Sequence, residues 1–267
     1  MPTILYSKLD PAGCNIAGHL RKQFGFKPVE KTAGRFPTWK NDSGILLAEI
    51  DTVTVNSENL DDFFRTDLIV FASKHKSESG KPTLTAHPCG NWNNKADFGG
   101  KPRTLAPTSA TALKAAMLEL AANPLPGFEV VMECTHHGPL LETPFVFVEI
   151  GSSEKQWGIP EAGEIVAKAC YAACTPKLPK QRIAIGIGGI HYPHEISKEI
   201  LRTDISVGHI CPKYMIGELD EGMMGQMAGK SGGKVELALI DWKSLKAPER
   251  EKALGLLKAF NLPYEKV

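Results

Sequence analysis

The sequence predicts an α/β protein of three layers built on a mixed sheet. Runs rich in β-branched and aromatic residues alternate along the chain with segments whose apolar residues recur at helical spacing. Some strand runs, such as Asp67-Leu-Ile-Val-Phe-Ala-Ser73, are almost continuously apolar, as expected where both faces are covered. A chain of 267 residues with a hydrophobic fraction of 42% can bury a sizeable core, and no linker or internal repeat divides it. One α/β domain over residues 1–267 is the expectation, with any smaller subdomain left undelimited.

Thr3 to Ser7 reads as the first strand, and Asn15 to Phe24 as a helix capped by Asn15 with Ile16, Leu20 and Phe24 on one stripe. Thr32 to Ser43 is rich in turn formers and reads as a loop. Strands follow at Gly44 to Asp51, Asp67 to Ser73 and Thr83 to Ala86, the last running into His87-Pro-Cys-Gly-Asn-Trp92. Asn93 to Thr108 is basic, contains glycine and lacks any period; loops of that length tend to be functional or mobile. Ser109 caps a helix to Leu120, with Leu113, Met117 and Leu120 on one face and Pro124 beyond its end. Phe128 to Cys134 and Phe145 to Ile150 are strands, and Glu161 to Cys174 is a helix with Ile165, Val166, Ala169 and Cys170 inward. A strand from Arg182 precedes the segment Ile205 to Tyr214; Met223 to Gly233 reads as a connection rich in glycine and methionine. Val235 to Lys243 is the last strand, and Pro248 to Phe260 the last helix, stopped by Asn261 and Pro263.

A net charge of +1 gives no global basic field, which argues against coating DNA while leaving room for a local patch that grips one end of an RNA. Met1-Pro2-Thr3 opens no signal peptide, and no window approaches the roughly eighteen apolar residues of a membrane span. Six cysteines without C-x-x-C spacing are expected to be reduced thiols in a cytoplasmic compartment. Cys170 and Cys174 read as small buried residues on one helix face. The surface shows no apolar stripe, so a monomer is expected.

The chemistry is expected where strands end. Arg182 to Glu195 drives a β-branched run into Gly186, Gly188 and Gly189 and then presents His191 and His194, an arrangement suited to a metal or acid/base pair. His75, His87, His136 with His137, and His209 also sit at or near strand ends, and on one shared sheet their carboxyl ends would form a single crevice. Adjacent strand residues face opposite ways, so Thr135-His-His-Gly-Pro139 can aim both imidazoles into one site only after the backbone has turned. Glu133 and Glu142 lie close enough in sequence to add carboxylate oxygens. Gly186 to His191 fails the dinucleotide fingerprint, and neither H-E-x-x-H nor G-x-S-x-G occurs. Cys89 beside His87 is a weak candidate nucleophile, with nothing but imidazoles to lower its pKa. For RNA, Lys74, Lys76, Lys95, Lys101 and Arg103 offer phosphate contacts and Trp92 a stacking face.

Phe71-Ala-Ser-Lys-His75, the His87 to Trp92 loop, Thr135-His-His-Gly-Pro139, Glu149-Ile-Gly-Ser-Ser153 and Gly186-Ile-Gly-Gly-Ile-His191 together resemble the D-aminoacyl-tRNA deacylases of archaeal and plant type. Gly208-His209-Ile210, Pro212-Lys213-Tyr214 and Asp241-Trp242-Lys243 fit the same family, so the resemblance spans most of the chain. It implies a hydrolase that releases D-amino acids, aldehyde-modified ones included, from the 3′ end of tRNA. It also implies bound zinc and a fold like those of nucleoside phosphorylases and peptidyl-tRNA hydrolases.

Residue by residue, the resemblance carries over to His87, Asn91, His136, His137 and His191, with His75 and His209 behind them; His194 departs from the pattern. Zinc ligands are expected among His87, His136, His137 and His191, with one of His136 and His137 a ligand and the other a proton carrier. Asn91 or the backbone N–H groups of Gly188 and Gly189 would hold the oxyanion. The alternatives are a zinc-dependent amidohydrolase or aminopeptidase-like enzyme on a small substrate, and an RNA-binding module without catalysis.

Overall fold

The computed structural model describes residues 1–29 and 35–267. Thr32 to Gly34, part of the expected loop, lie outside the described residues. In chain order the elements are β1 (Thr3–Ser7), α1 (Pro11–Gln23), β2 (Lys27–Pro28), β3 (Thr38–Lys40), β4 (Leu46–Ile50), β5 (Ile69–Lys74), β6 (Thr83–His87), β7 (Gly90–Asn91) and β8 (Thr104–Leu105). There follow α2 (Ala110–Ala122), β9 (Glu129–Met132), β10 (Phe145–Gly151), α3 (Glu154–Trp157), α4 (Pro160–Cys174), β11 (Arg182–Ile187) and α5 (His194–Arg202). The chain closes with β12 (Ile205–Cys211), α6 (Glu221–Gly229), β13 (Val235–Ile240), α7 (Ala247–Ala259) and β14 (Tyr264–Lys266).

The class is mixed α/β, as the alternation of patterns predicts, but the strands divide between two main sheets. An eight-stranded sheet runs β2-β3-β4-β1-β5-β10-β6-β9, and a four-stranded sheet runs β12-β11-β13-β14. The large sheet is parallel from β4 through β1 and β5 to β10, then reverses, because β6 pairs antiparallel with β10 and carries β9 parallel to itself. The small sheet is wholly parallel.

Period-two alternation separates the faces of the large sheet. Ile4, Tyr6, Val70, Ala72, Val146 and Val148 pack with α1, α2 and α4, whereas Leu5, Ile69, Phe71, Phe145 and Phe147 pack with Phe36, Leu60, Phe64 and Leu141. The helix-side core continues into Ala184, Val207 and Leu239 of the small sheet, and the far face of that sheet closes over α6 and α7 through Ile185, Ile187, Met223 and Leu257.

Two local expectations are corrected. The cap of α1 is Asp10, whose Oδ1 accepts from Ala12 and Gly13 N–H at 2.9 and 3.1 Å. Asn15 lies inside the helix and donates to the carbonyls of Trp157 and Ile159. Met223 to Gly233 is not a connection: Asp220 caps α6, and the methionines expected in a loop are its buried face. Helix α5 was not expected, although Ile196 and Ile200, one helical turn apart, mark its buried face.

Candidate active site

The odd-numbered face of the large sheet that is apolar through Phe71, Phe145 and Phe147 turns polar at His75, His87 and Glu149. β6 lies against β10 with His87 opposite Phe147 and Thr85 opposite Glu149. The site therefore sits across the antiparallel junction of β10 and β6. It is not at a common carboxyl edge, since β5 and β10 run against β6 and β9.

Past β9 the chain becomes a strap between the sheets. Glu133 N–H donates to Ala86 on the large sheet, while Cys134 and Thr135 N–H donate to His191 and Ile210 on the small-sheet side. Thr135 Oγ1 accepts from Ile210 N–H at 2.9 Å, and His137 follows at φ 39°, the turn that swings both adjacent imidazoles inward. Gly188 and Gly189 close β11 at positive φ and deliver His191 to the same place.

Five imidazoles and two carboxylates meet there. Glu133 Oε2 lies 2.7 Å from His191 Nε2, 3.2 Å from His75 Nδ1 and 3.5 Å from His136 Nε2. Glu149 Oε2 lies 3.6 Å from His75 Nδ1 and 3.5 Å from His87 Nε2. Ring centroids of His136 stand 4.3 Å from those of His87 and His137 and 4.7 Å from that of His191. Glu133 and His87 are wholly buried, whereas the side chains of His136 and His191 are 24% and 34% exposed, so the site opens to solvent between those two.

Protonation follows from partners. Burial disfavours charge on Glu133, but the His191 hydrogen bond and the surrounding imidazoles outweigh it and hold the carboxyl well below its ordinary pKa. Glu149 is lowered in the same way, burial being overcome by the neighbouring His75 and His87 imidazoles. Burial works against charge on His191 too, yet contacts with Cys134 and Glu133 raise it to about 10. His75 is raised, its burial offset by Glu149 and Glu133. Burial and neighbouring imidazoles push His136 well down and His137 to about 4.

The tautomers point inward. His87 Nδ1 donates to the Pro88 carbonyl at 3.1 Å, His136 Nδ1 to that of Cys134 at 2.8 Å and His137 Nδ1 to that of Gly138 at 2.6 Å. An imidazole whose Nδ1–H is tied to a backbone carbonyl presents Nε2 as a lone pair, the arrangement typical of metal-ligating histidine. One ligand atom from each of His87, His136 and His137 lies within 4.8 Å of the other two; the same holds for His87 with Glu133 and Glu149, and for His75 with Glu133 and His191. His87 Nε2 and Glu133 Oε1 are buried without any hydrogen-bond partner. Bare imidazole nitrogens facing anionic oxygens, two of these atoms buried and unpaired, are a donor set suited to a metal ion.

Several expected residues have other duties. Both glycine N–H groups are already used, Gly188 donating to the Cys211 carbonyl and Gly189 to Ser244 Oγ, each at 2.8 Å, so neither is free for an oxyanion. Asn91 spends its amide on the Gly99 and Lys101 carbonyls. Trp92 is buried, its indole N–H donating to the Thr135 carbonyl at 2.8 Å, and cannot stack on a base. Arg103 pairs with Glu218 and Asp220. Lys74 lies over the Trp157 ring at 5.0 Å, and Lys76 is exposed beside Ser77.

His209 is a strut: its Nε2 donates to the Ala106 carbonyl and its Nδ1 meets the Thr135 hydroxyl. His194 pairs with Glu129 outside the cluster, and Glu142 is exposed. Cys89 is buried and its pKa is pushed far up, so it stays a thiol. Sequence reasoning missed Glu149 and Tyr192, whose hydroxyl is 2.8 Å from His75 Nε2. Glu149 had a signal, a lone charge at an inward position of an otherwise apolar strand. Tyr192 had none.

The family model described as D-aminoacyl-tRNA deacylase matches residues 63–265. A D-aminoacyl-tRNA deacylase of Pyrococcus abyssi is 35% identical over the whole of both chains. One of Methanosarcina mazei is 37% identical over 97% of this chain and 90% of its own. A crystal structure described only as a conserved protein of unknown function is 31% identical, with a TM-score of 0.91 over 100% of this chain and 95% of that one.

Proposed function

The chain belongs to the D-aminoacyl-tRNA deacylase family, and on that premise we propose that its histidine–carboxylate cluster hydrolyses the ester between a D-amino acid and the 3′ end of tRNA. The observation that carries this reading is the set of three imidazoles, His87, His136 and His137, grouped within reach of one ion with each Nδ1–H tied to a carbonyl, Nε2 of His87 facing Glu149 and that of His136 facing Glu133. These residues would hold zinc, which supplies Lewis acidity toward water and the ester carbonyl at neutral pH.

The side chains divide the remaining work. Glu133 has one oxygen engaged by His191 and His75 and the other without a partner, so it can orient a water and take its proton. His191, partly exposed beside Glu133, is positioned to stabilise the developing oxyanion or to protonate the departing ribose oxygen. His136 and His137 share one tautomer, each with Nδ1–H on a backbone carbonyl, which supports the same holding role for both in place of a split between ligand and proton carrier. Glu149 and Tyr192 fix His75 from its two nitrogens and make it a positioning residue. An RNA-binding module without catalysis would have no use for two carboxylates buried among imidazoles.

Hydrolysis of D-tyrosyl-tRNA and L-tyrosyl-tRNA, each with and without a chelator, tests the reading. The D-ester is cleaved, the L-ester is spared, and activity lost to chelator returns with added zinc. Equal rates on both esters, or cleavage of neither, overturns it.

A further inference from the structure

Two exposed aromatic rings flank the opening of the site. Phe98 is 70% exposed and Tyr214 54% exposed, and among the described residues neither has an aromatic or cationic partner. Phe98 belongs to the strap's neighbour on the His137 side, its carbonyl accepting from Gly138 N–H at 2.9 Å. Tyr214 stands on the His191 side, its hydroxyl 3.4 Å from Cys134 Sγ, which in turn lies 3.9 Å from His191 Nδ1. His136, an imidazole partly open to solvent, packs against both His137 and His191.

The loop that presents Phe98 is tightly held. Asn91 grips the Gly99 carbonyl, Glu58 Oε1 accepts from Gly100 N–H at 2.6 Å, and Gly99 lies so close to Val55 that a Cβ there would come within 1.7 Å of its carbonyl oxygen. A phenyl ring fixed in water by its own backbone gains nothing from the rest of the chain. Lys95 and Lys101 flank it, exposed and without a carboxylate partner among the described residues, with Asp97 the acid nearest in sequence to Phe98; Lys213, exposed before Tyr214, interacts with Asp241. Aromatic faces beside free lysines are the chemistry that binds single-stranded nucleic acid.

Resting on the hydrolase reading above, we propose that Phe98 and Tyr214 are the stacking surface for the unpaired nucleobase at the 3′ end of the RNA. They take the part the sequence suggested for Trp92.

The test uses a short single-stranded RNA that bears no aminoacyl group and has 2-aminopurine as its 3′ nucleobase, whose fluorescence is quenched when the base stacks. The wild-type protein quenches it. Phe98→Ala and Tyr214→Leu each weaken the apparent affinity about tenfold or more, and Phe98→Tyr restores it. No quenching by the wild type, or equal quenching by all variants, overturns the proposal. So does concentration-dependent self-association that disappears in Phe98→Ala without any quenching, which assigns the ring to a second copy of this chain. Because the probe carries no ester, the two readings fail separately. A protein that cleaves D-tyrosyl-tRNA but leaves the probe bright refutes stacking alone, and one that quenches without cleaving refutes the hydrolase.

Discussion

At the scale of single residues, the same side-chain type serves three ends in this chain. His87, His136 and His137 offer bare nitrogens, His75 and His191 lie against carboxylates, and His209 is a buried strut between Thr135 and Ala106. Burial pushes the His209 pKa down to about 3. An unfolded histidine takes a proton near 6.5, so the unfolded state binds more protons than the native one below that pH. The contribution of His209 is therefore complete above about 6.5 and is lost as pH falls toward 3, with a slope of up to about 1.4 kcal/mol per pH unit. His136 and His137 are depressed as well and act in the same direction. Urea unfolding between pH 7 and pH 4 should show wild-type stability falling, and His209→Gln should have a shallower fall. An unchanged slope would show that His209 is not buried in its neutral form. The sequence displayed every histidine but not which nitrogen of each is committed, because that depends on carbonyls such as those of Pro88 and Gly138 whose direction only the fold sets.

At the scale of elements, the strands were the most legible part. β1 matches its expected span, β5, β6, β9 and β10 fall within a residue or two of theirs, and β13 starts as expected at Val235 but ends three residues earlier, at Ile240. Their signals are local, resting on runs of β-branched and aromatic residues. The division into two sheets, the reversal at β6 and the strap after β9 depend on pairings between distant residues, and no local pattern reports those. The same holds for the loop from Asn93, whose length was visible but whose anchors on Glu58, Asn91 and Gly138 were not. Gly99 carries that anchoring, with φ at 75° and no room for a side chain. Gly99→Ala should cost about 1–3 kcal/mol in urea unfolding and release Phe98 from its position. A wild-type midpoint for that variant would mean that the loop is not held as described.

At the scale of the whole molecule, one core runs from Ile4 and Val70 of the large sheet to Val207 and Leu239 of the small sheet. We therefore expect a single cooperative thermal transition over the full chain. Chelator should lower its midpoint without splitting it, because a metal that binds only the native state stabilises that state as a whole. Two resolved transitions in calorimetry would separate the sheets into independent units. The 2.7 Å contact from His191 to Glu133 joins a residue carried by the small sheet to one on the strap that leaves the large sheet. In mechanical terms the pair is a strain gauge. A slip of about 1 Å between the sheets would break its hydrogen bond while leaving almost every apolar contact intact, and a misplacement of that size can cost about a hundredfold in rate. Catalysis in this protein would thus register deformations too small for any measurement of stability to detect.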